Sequence, residues 1–106
     1  MARNWKEVRA AAAPYLDESN IAEIQETLRG EILATELAEV RRSHQVTQMA
    51  VADAMGVAQP RVSAIEHGNV TKTEVGTLEA YVRALGGRLR IIADFDDRSV
   101  LVHGKA

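Results

Sequence analysis

Gln59 and Arg61 are two side chains whose chemistry suits the recognition of DNA bases. The amide of a glutamine can accept a hydrogen bond from adenine N6 and donate one to adenine N7. An arginine can offer two parallel donors to guanine or to a phosphate, and the residue type alone does not choose between them. Gln59 could equally cap a helix locally, and Arg61 could be a solvated surface side chain. Their position in the chain favours contact with DNA.

The segment 46–68 predicts two short helices joined by a turn at Gly56, with Gln59 and Arg61 at the start of the second helix. Thr47 can cap the first helix through its hydroxyl, and Gly56 can adopt the left-handed backbone that reverses the chain. Apolar residues fall on one face of each helix: Val51, Ala52 and Met55 in the first, and Val62 and Ile65 in the second. The second helix therefore keeps a free polar face that could enter a groove of DNA.

This segment resembles the helix-turn-helix of the Xre and phage-repressor family over residues 37–68. The matched positions are Arg41, Thr47, Gln48, Ala52, Gly56, Val57, Gln59, Ile65, Glu66 and Gly68. Ala58 departs from the family, which usually caps the second helix with Ser or Thr, and Met49 and Ala50 replace polar residues. The missing cap costs about 1 kcal/mol. Pro60 offsets part of this cost, because its fixed φ suits the first turn of a helix.

The resemblance implies roles for several of the matched residues. It places Gln59 at the base-reading position and Gln48 against phosphate, where it also braces Gln59. It makes Arg41 and Glu66 an ion pair that holds the unit together. Small side chains nearby could touch thymine methyl groups, and polar ones could anchor the sugar-phosphate backbone. The full set expected to contact DNA is Thr47, Gln48, Gln59, Pro60, Arg61, Ser63, Ala64, His67, Asn69 and Lys72.

Length and composition exclude several classes of protein. The 106 residues suffice for one domain, or for one domain with an arm. There is no cysteine, and the three histidines are scattered, so we expect neither a metal site nor a cofactor. No Ser/His/Asp or Cys/His set and no glycine-rich phosphate loop indicates an enzyme. The lack of a long apolar stretch and of a secretory signal predicts a cytoplasmic protein without membrane contact.

The net charge of −2 argues against DNA binding, because nucleic-acid-binding domains are often strongly basic. Binding must then come from the local placement of a few charges. We expect few phosphate contacts in each subunit, made by Arg61, His67, Lys72 and helix N-termini, and doubled in a dimer.

Upstream of the helix-turn-helix, apolar residues recur every three or four positions in two stripes: Ile21, Ile24, Leu28 and Ile32, then Leu33, Leu37 and Val40. One long helix could span residues 19–43 and bury two faces. Alternatively, Gly30 could divide it, and the cost of a helical glycine, about 1 kcal/mol, does not settle the question. Within residues 1–16, a short amphipathic helix could form, with a break at Pro14.

Downstream, residues 88–95 alternate between apolar and polar side chains, and a second apolar run follows a turn at Asp96 and Asp97. This pattern predicts a β-hairpin. An isolated hairpin is marginally stable in water, so we expect its apolar side to be covered by a helix or joined to a second copy in a homodimer. The residues expected at the dimer contact are Leu89, Ile91, Ala93, Phe95, Val100 and Val102.

The segment 77–91, with the sequence TLEAYVRALGGRLRI, resembles the region after the helix-turn-helix in HigA-like antitoxins of bacterial type II toxin–antitoxin systems. This resemblance implies a protein partner, a toxin that cleaves mRNA. The surface expected to bind the toxin consists of apolar residues near the N-terminus: Trp5, Val8, Tyr15, Leu16, Ile21 and Ile24. The alternative is that these residues complete the core.

Together these patterns predict a mainly α fold. A five-helix-type helix-turn-helix domain is expected over residues 30–86, an N-terminal helical arm over 1–29 and a C-terminal β-hairpin over 87–106. The expected function is that of a sequence-specific antitoxin, which neutralises an mRNA-cleaving toxin and represses its own operon as a homodimer on an inverted-repeat operator in double-stranded DNA. The alternative is a stand-alone Xre or phage-type transcriptional regulator without a toxin partner.

Overall fold

A computed structural model of the chain describes residues 18–104. The elements of this part are, in order, α1 (Glu18–Ser43), α2 (Gln48–Met55), α3 (Gln59–Glu66), a single 3-10 turn (Val70–Lys72), α4 (Val75–Ala84), β1 (Ile91–Asp94) and β2 (Ser99–His103). The predicted mainly α fold with a C-terminal hairpin is confirmed, with four α-helices and the 3-10 turn in the described range. Four of the residues expected to bind a toxin lie outside it: Trp5, Val8, Tyr15 and Leu16.

The first helix, α1, is continuous through Gly30, so the alternative of one long helix is the one that the structure contains. The predicted boundary between residues 29 and 30 therefore falls inside a helix. The expectation of two buried apolar faces is wrong, because the buried positions of α1 are the small residues Gly30, Ala34 and Ala38. The large side chains of the first stripe remain on the surface, with 50%, 53% and 58% exposure for Ile24, Leu28 and Ile32.

The core lies between the helices that follow. Its buried residues come from α2, α3 and α4: Val51, Ala52, Val62, Ile65 and Tyr81. Of the second stripe of α1, Leu37 packs against this core, while Leu33 and Val40 are exposed. The apolar faces predicted for the two short helices are thus confirmed, and their burial fixes α3 with its opposite face outward.

The first strand of the hairpin is shorter than predicted, because Leu89 precedes β1 and Phe95 follows it. Ala93 pairs with Val100, but the register shifts by one residue between Ile91 and Ile92. Ile91 consequently lies opposite His103. A polar contact connects the hairpin to α4, with 2.6 Å between His103 Nε2 and Glu79 Oε2.

At Gly30, α1 lies close to the loop after α3. A Cβ atom at this position would lie 1.6 Å from Oδ1 of Asn69 and 3.1 Å from Oγ1 of Thr71. Asn69 cannot move without loss, because its Oδ1 caps the 3-10 turn by accepting from the backbone N and the hydroxyl of Thr71 at 2.9 and 2.6 Å. Only glycine fits here while that cap is intact.

We therefore predict that Gly30→Ala and Asn69→Ala are strongly non-additive. In the native background, the clash should cancel the gain of about 1 kcal/mol that alanine brings to a helix, whereas in Asn69→Ala that gain should reappear. Urea denaturation of the four proteins measures the coupling, expected at about 1 kcal/mol or more. Gly76→Ala is the matched control, because a Cβ there meets nothing within 4 Å. Additive effects of Gly30→Ala and Asn69→Ala would contradict the proposed close approach.

Candidate nucleic-acid interface

The turn between α2 and α3 has the geometry that the sequence predicts. Thr47 caps α2, since its hydroxyl accepts a hydrogen bond from the backbone N of Ala50 at 3.0 Å. Gly56 is left-handed, with φ +71° and ψ +34°, and its backbone N–H donates to α2 carbonyl groups. Ala58, the residue before α3, makes no side-chain cap, and Pro60 occupies the first turn. The N–H groups at the start of α3 therefore receive no hydrogen bond from the side chain of Ala58.

The outward face of α3 carries most of the predicted contact residues. Pro60, Arg61, Ala64 and His67 are exposed, and Gln59 and Ser63 are half-buried at its edge. The His67 ring folds back on its own helix, with Nδ1 2.9 Å from the Ser63 carbonyl oxygen and 3.3 Å from the Ser63 hydroxyl. This arrangement leaves the other ring nitrogen of His67 for an outside partner.

Two further predicted residues lie in the loop that follows α3. Lys72 is exposed. The Asn69 side chain is directed towards α1 instead, and its Nδ2 atom is buried without a hydrogen-bond partner. A contact between Asn69 and phosphate would therefore have to use the backbone of this residue.

The ion pair implied by the resemblance is present and connects α1 to the end of α3. Arg41 Nε lies 2.6 Å from Oε2 of Glu66, and Arg41 Nη2 lies 3.1 Å from Oε1. The second terminal nitrogen, Nη1, donates to the carbonyl oxygen of Val46 at 2.9 Å, just before α2. Only 2% of the Glu66 side chain is exposed. One guanidinium thus joins α1, α3 and the entry into α2.

Gln59 is held by a chain of hydrogen bonds that starts at this ion pair. Glu66 Oε1 accepts a hydrogen bond from Gln48 Nε2 at 2.9 Å. Gln48 Oε1 in turn accepts one from Gln59 Nε2 at 2.5 Å. The bracing of Gln59 by Gln48 therefore agrees with what the resemblance implied. One N–H and the carbonyl oxygen of Gln59 remain for a partner outside the protein.

Tyr81 is a member of this cluster that sequence reasoning missed. Its side chain is fully buried in the core, and its hydroxyl donates to Glu66 Oε2 at 2.6 Å. The sequence did carry a signal, because Tyr81 lies three residues after Leu78 on the apolar face of α4. A tyrosine at a core position needs a hydrogen-bond partner for its hydroxyl.

The cluster shifts the pKa values of its members in directions that keep Glu66 ionised. Burial acts to raise the pKa of Glu66, but the hydrogen bonds donated to its carboxylate outweigh burial and hold the pKa below the ordinary 4.5. The hydrogen bond to Glu66 raises the pKa of Arg41. Burial, followed by the contact with Glu66, raises the pKa of the Tyr81 phenol above its ordinary 10.0. At neutral pH the carboxylate therefore meets a charged guanidinium and a neutral phenol.

Two further features are absent from the described residues. None of their helices combines the length and apolarity that crossing a bilayer requires. Within residues 18–104, no three His, Cys, Asp or Glu side chains lie close enough together to hold a metal ion.

The two short helices, the turn at Gly56 and the outward face of α3 define a helix-turn-helix protein. In agreement, the family described as a helix-turn-helix domain matches residues 4–94. HigA3 of Mycobacterium tuberculosis (strain ATCC 25618 / H37Rv) is 47% identical over 103 residues, which cover 94% of both chains. This chain therefore belongs to the family of HigA antitoxins.

Solved structures agree with this assignment. A structure of the DNA-bound antitoxin HigA3 is similar to this chain with a TM-score of 0.59 and 47% identity, covering 65% of this chain and 90% of that one. A second structure is of a HigA antitoxin described by its unique dimerisation and the DNA bending that this induces. It has a TM-score of 0.55 and 51% identity, covering 62% of this chain and 88% of that one.

Acid should destabilise the native domain more steeply than a Glu66→Gln variant. Because the native pKa of Glu66 lies below the ordinary 4.5, its ionised form stabilises the fold above that pH, and this contribution is lost as the pH falls through the native pKa. The variant should lose about 1–3 kcal/mol at neutral pH, since a hydrogen-bonded charge is removed. Its free energy of unfolding should then change less on acidification. Urea denaturation across the acid range measures both, and equal pH dependence would contradict the assigned shift.

Proposed function

We propose that this chain is a DNA-binding antitoxin of the cytoplasm, which represses its own operon as a homodimer on an inverted-repeat operator and neutralises a cognate mRNA-cleaving toxin. The DNA-binding part of this proposal rests on the fixed orientation of the Gln59 amide. Its amide is fixed from within the protein at the edge of an exposed helix face, with one donor and one acceptor to spare. This pair matches the major-groove edge of adenine.

The charges around α3 fit a small number of phosphate contacts. Arg61 and Lys72 are exposed on the proposed DNA side, and α3 begins without a side-chain cap on its N–H groups. Unsatisfied N–H groups at a helix N-terminus favour anions. A chain with a net charge of −2 must concentrate its attraction for DNA on such positions. This supports a protein that depends on base contacts and on dimerisation for its affinity.

The hairpin is the surface that we propose for dimerisation. It exposes apolar side chains that a monomer leaves in water, at 48%, 60%, 38% and 63% for Ile92, Phe95, Val100 and Val102. Each of its two strands also has one edge without a strand partner among the described residues. Ile92 was not among the residues predicted at this contact. Of those that were, Ile91 and Ala93 are half-buried, as is Leu89. The HigA antitoxin structure described by its unique dimerisation supports a dimeric state for this chain.

The surface that we propose for the toxin is the outer stripe of α1, defined as Ile24, Leu28 and Ile32. These side chains are half exposed or more, and shallow grooves on the stripe are flanked by carboxylates: Glu23, Glu31, Glu36 and Glu39. Such an acidic rim disfavours a second copy of this chain, because like charges would meet. It suits an enzyme that binds RNA and is therefore basic. Ile24 belongs to the set predicted from the sequence, and Ile21 is half-buried beside it.

Base reading by Gln59 is tested by measuring operator selectivity, after the preferred half-site has been selected from randomised duplexes. Gln59→Ala should lower the affinity for that site by about 1–3 kcal/mol and relax the preference at one base pair. Lys72→Ala should instead weaken all duplexes alike and reduce the salt dependence. Arg83→Ala removes the same charge on α4 and is the control for net charge. Unchanged selectivity in Gln59→Ala would show that α3 does not read DNA as proposed.

Toxin docking is tested by co-expression with the toxin encoded beside the antitoxin gene. Leu28→Lys should abolish the rescue of growth, because burying a charge in an apolar contact costs about 2 kcal/mol or more of binding energy. Val40→Lys makes the same change in α1 at an exposed position outside the stripe, and it should retain rescue. Gln59→Ala should also retain it, since docking is separate from DNA reading. Full rescue by Leu28→Lys at equal protein levels would exclude the stripe.

A further inference from the structure

Glu66 is the only group in the chain of hydrogen bonds leading to Gln59 that can accept but never donate. The residue as a whole is 5% exposed, and its carboxylate accepts hydrogen bonds from three side chains: Arg41, Gln48 and Tyr81. An amide, in contrast, can present either its oxygen or its NH2 group to a neighbour. The direction of the whole chain is therefore set at its buried end.

We propose that Glu66 determines which base Gln59 prefers, although it lies in the protein interior. This inference rests on the proposed role of Gln59 in reading DNA. Glu66 does not need to touch DNA. Its effect is to fix which end of the Gln59 amide faces outward.

The direction of each amide follows from the group before it, starting at Glu66. A carboxylate only accepts, so Gln48 must turn its NH2 group towards Glu66. The oxygen of Gln48 then faces Gln59, which must donate in turn. Gln59 is left with an oxygen and one N–H, the pair that adenine N6 and N7 require. If the Gln59 amide were reversed, both of its N–H groups would be left, and these match the two acceptors of guanine, N7 and O6.

The donors around Glu66 indicate how a glutamine would sit at this position. The Tyr81 hydroxyl and Arg41 Nε both donate to Oε2, each at 2.6 Å, whereas Oε1 accepts from Gln48 and, at 3.1 Å, from Arg41 Nη2. In a Glu66→Gln variant, the two shorter hydrogen bonds should hold the amide oxygen at the position of Oε2. The new NH2 group would then lose the hydrogen bond from Arg41 Nη2, face Gln48 and reverse every hydrogen bond from there to Gln59.

Glu66→Gln is therefore the decisive substitution. Wild-type protein should prefer adenine at the position read by Gln59 by about tenfold. In Glu66→Gln this preference should fall severalfold or pass to guanine, while preferences at other positions stay unchanged. Competitive fluorescence anisotropy with duplexes that differ at one base pair measures these ratios at a temperature where circular dichroism shows the variant folded. A folded Glu66→Gln variant with the full adenine preference overturns the proposal.

Two further variants separate direction-setting from stability. Gln48→Ala removes the link between Glu66 and Gln59, so it should reduce the adenine preference severalfold. It also serves as the test if Glu66→Gln does not fold. Glu79→Gln is the matched control, because it removes a carboxylate that contacts Arg83 and His103, outside the chain to Gln59. An equal loss of preference in this control, or an unchanged preference in Gln48→Ala, overturns the proposal.

A double variant distinguishes failure of this inference from failure of the proposed function. In Gln59→Ala, adding Glu66→Gln should produce no further change in base preference, because the reading amide is gone. A further change at the same position would mean that Glu66 acts by another route. If wild-type protein shows no preference among duplexes, the proposed DNA reading itself fails. If wild-type preference is clear and survives in both Glu66→Gln and Gln48→Ala, only the inference fails.

Discussion

A buried carboxylate that meets several donors is the interaction on which the helix-turn-helix of this chain depends. Buried ion pairs contribute little net stability on average, because removing two charges from water offsets most of their attraction. The pair formed by Arg41 and Glu66 matters instead because it fixes the relative positions of the segments that it connects. Through one guanidinium it joins α1, α3 and the residue before α2. Its carboxylate also gives the Gln48 and Gln59 amides one direction.

The remainder of the fold shields this cluster from solvent and leaves one face of α3 exposed. Val51, Val62 and Tyr81 are completely buried together, and the tyrosine hydroxyl donates to Glu66 in this solvent-excluded core. The small residues of α1 allow its backbone to lie close to the following helices. This packing leaves the large apolar side chains of α1 outside. The same helix can thus hold the DNA-binding unit on one side and offer an apolar stripe on the other.

Local features were the ones that the sequence predicted well. The cap at Thr47, the left-handed turn at Gly56 and the apolar edges of α2 and α3 each depend on a few neighbouring residues. The burial of α1 could not be predicted in this way, since hydrophobic periodicity reports where apolar residues lie and not which face a neighbour can approach. Gly30 is an example, because its packing against Asn69 joins residues far apart in the chain. The register shift at Ile91 likewise has no signature in alternation.

The candidate site could likewise be predicted only in part. The positions of Gln48, Gln59, Arg41 and Glu66 followed from a resemblance, and the structure adds that they form one connected chain of hydrogen bonds. The spacing in α4 indicated a buried Tyr81, but its partner Glu66 could not be predicted by pattern, because that contact depends on where α4 lies against α3. Asn69 was expected to face DNA, yet its amide is needed to cap the 3-10 turn against α1.

The most direct measurement is a crystal structure of the chain bound to a duplex containing its selected operator. We predict two copies related by a two-fold axis, with the oxygen and the free N–H of Gln59 on one adenine and the Gln48 and Glu66 hydrogen bonds intact. A complex in which Gln59 meets no base, or in which Gln48 turns its oxygen towards Glu66, would contradict this prediction.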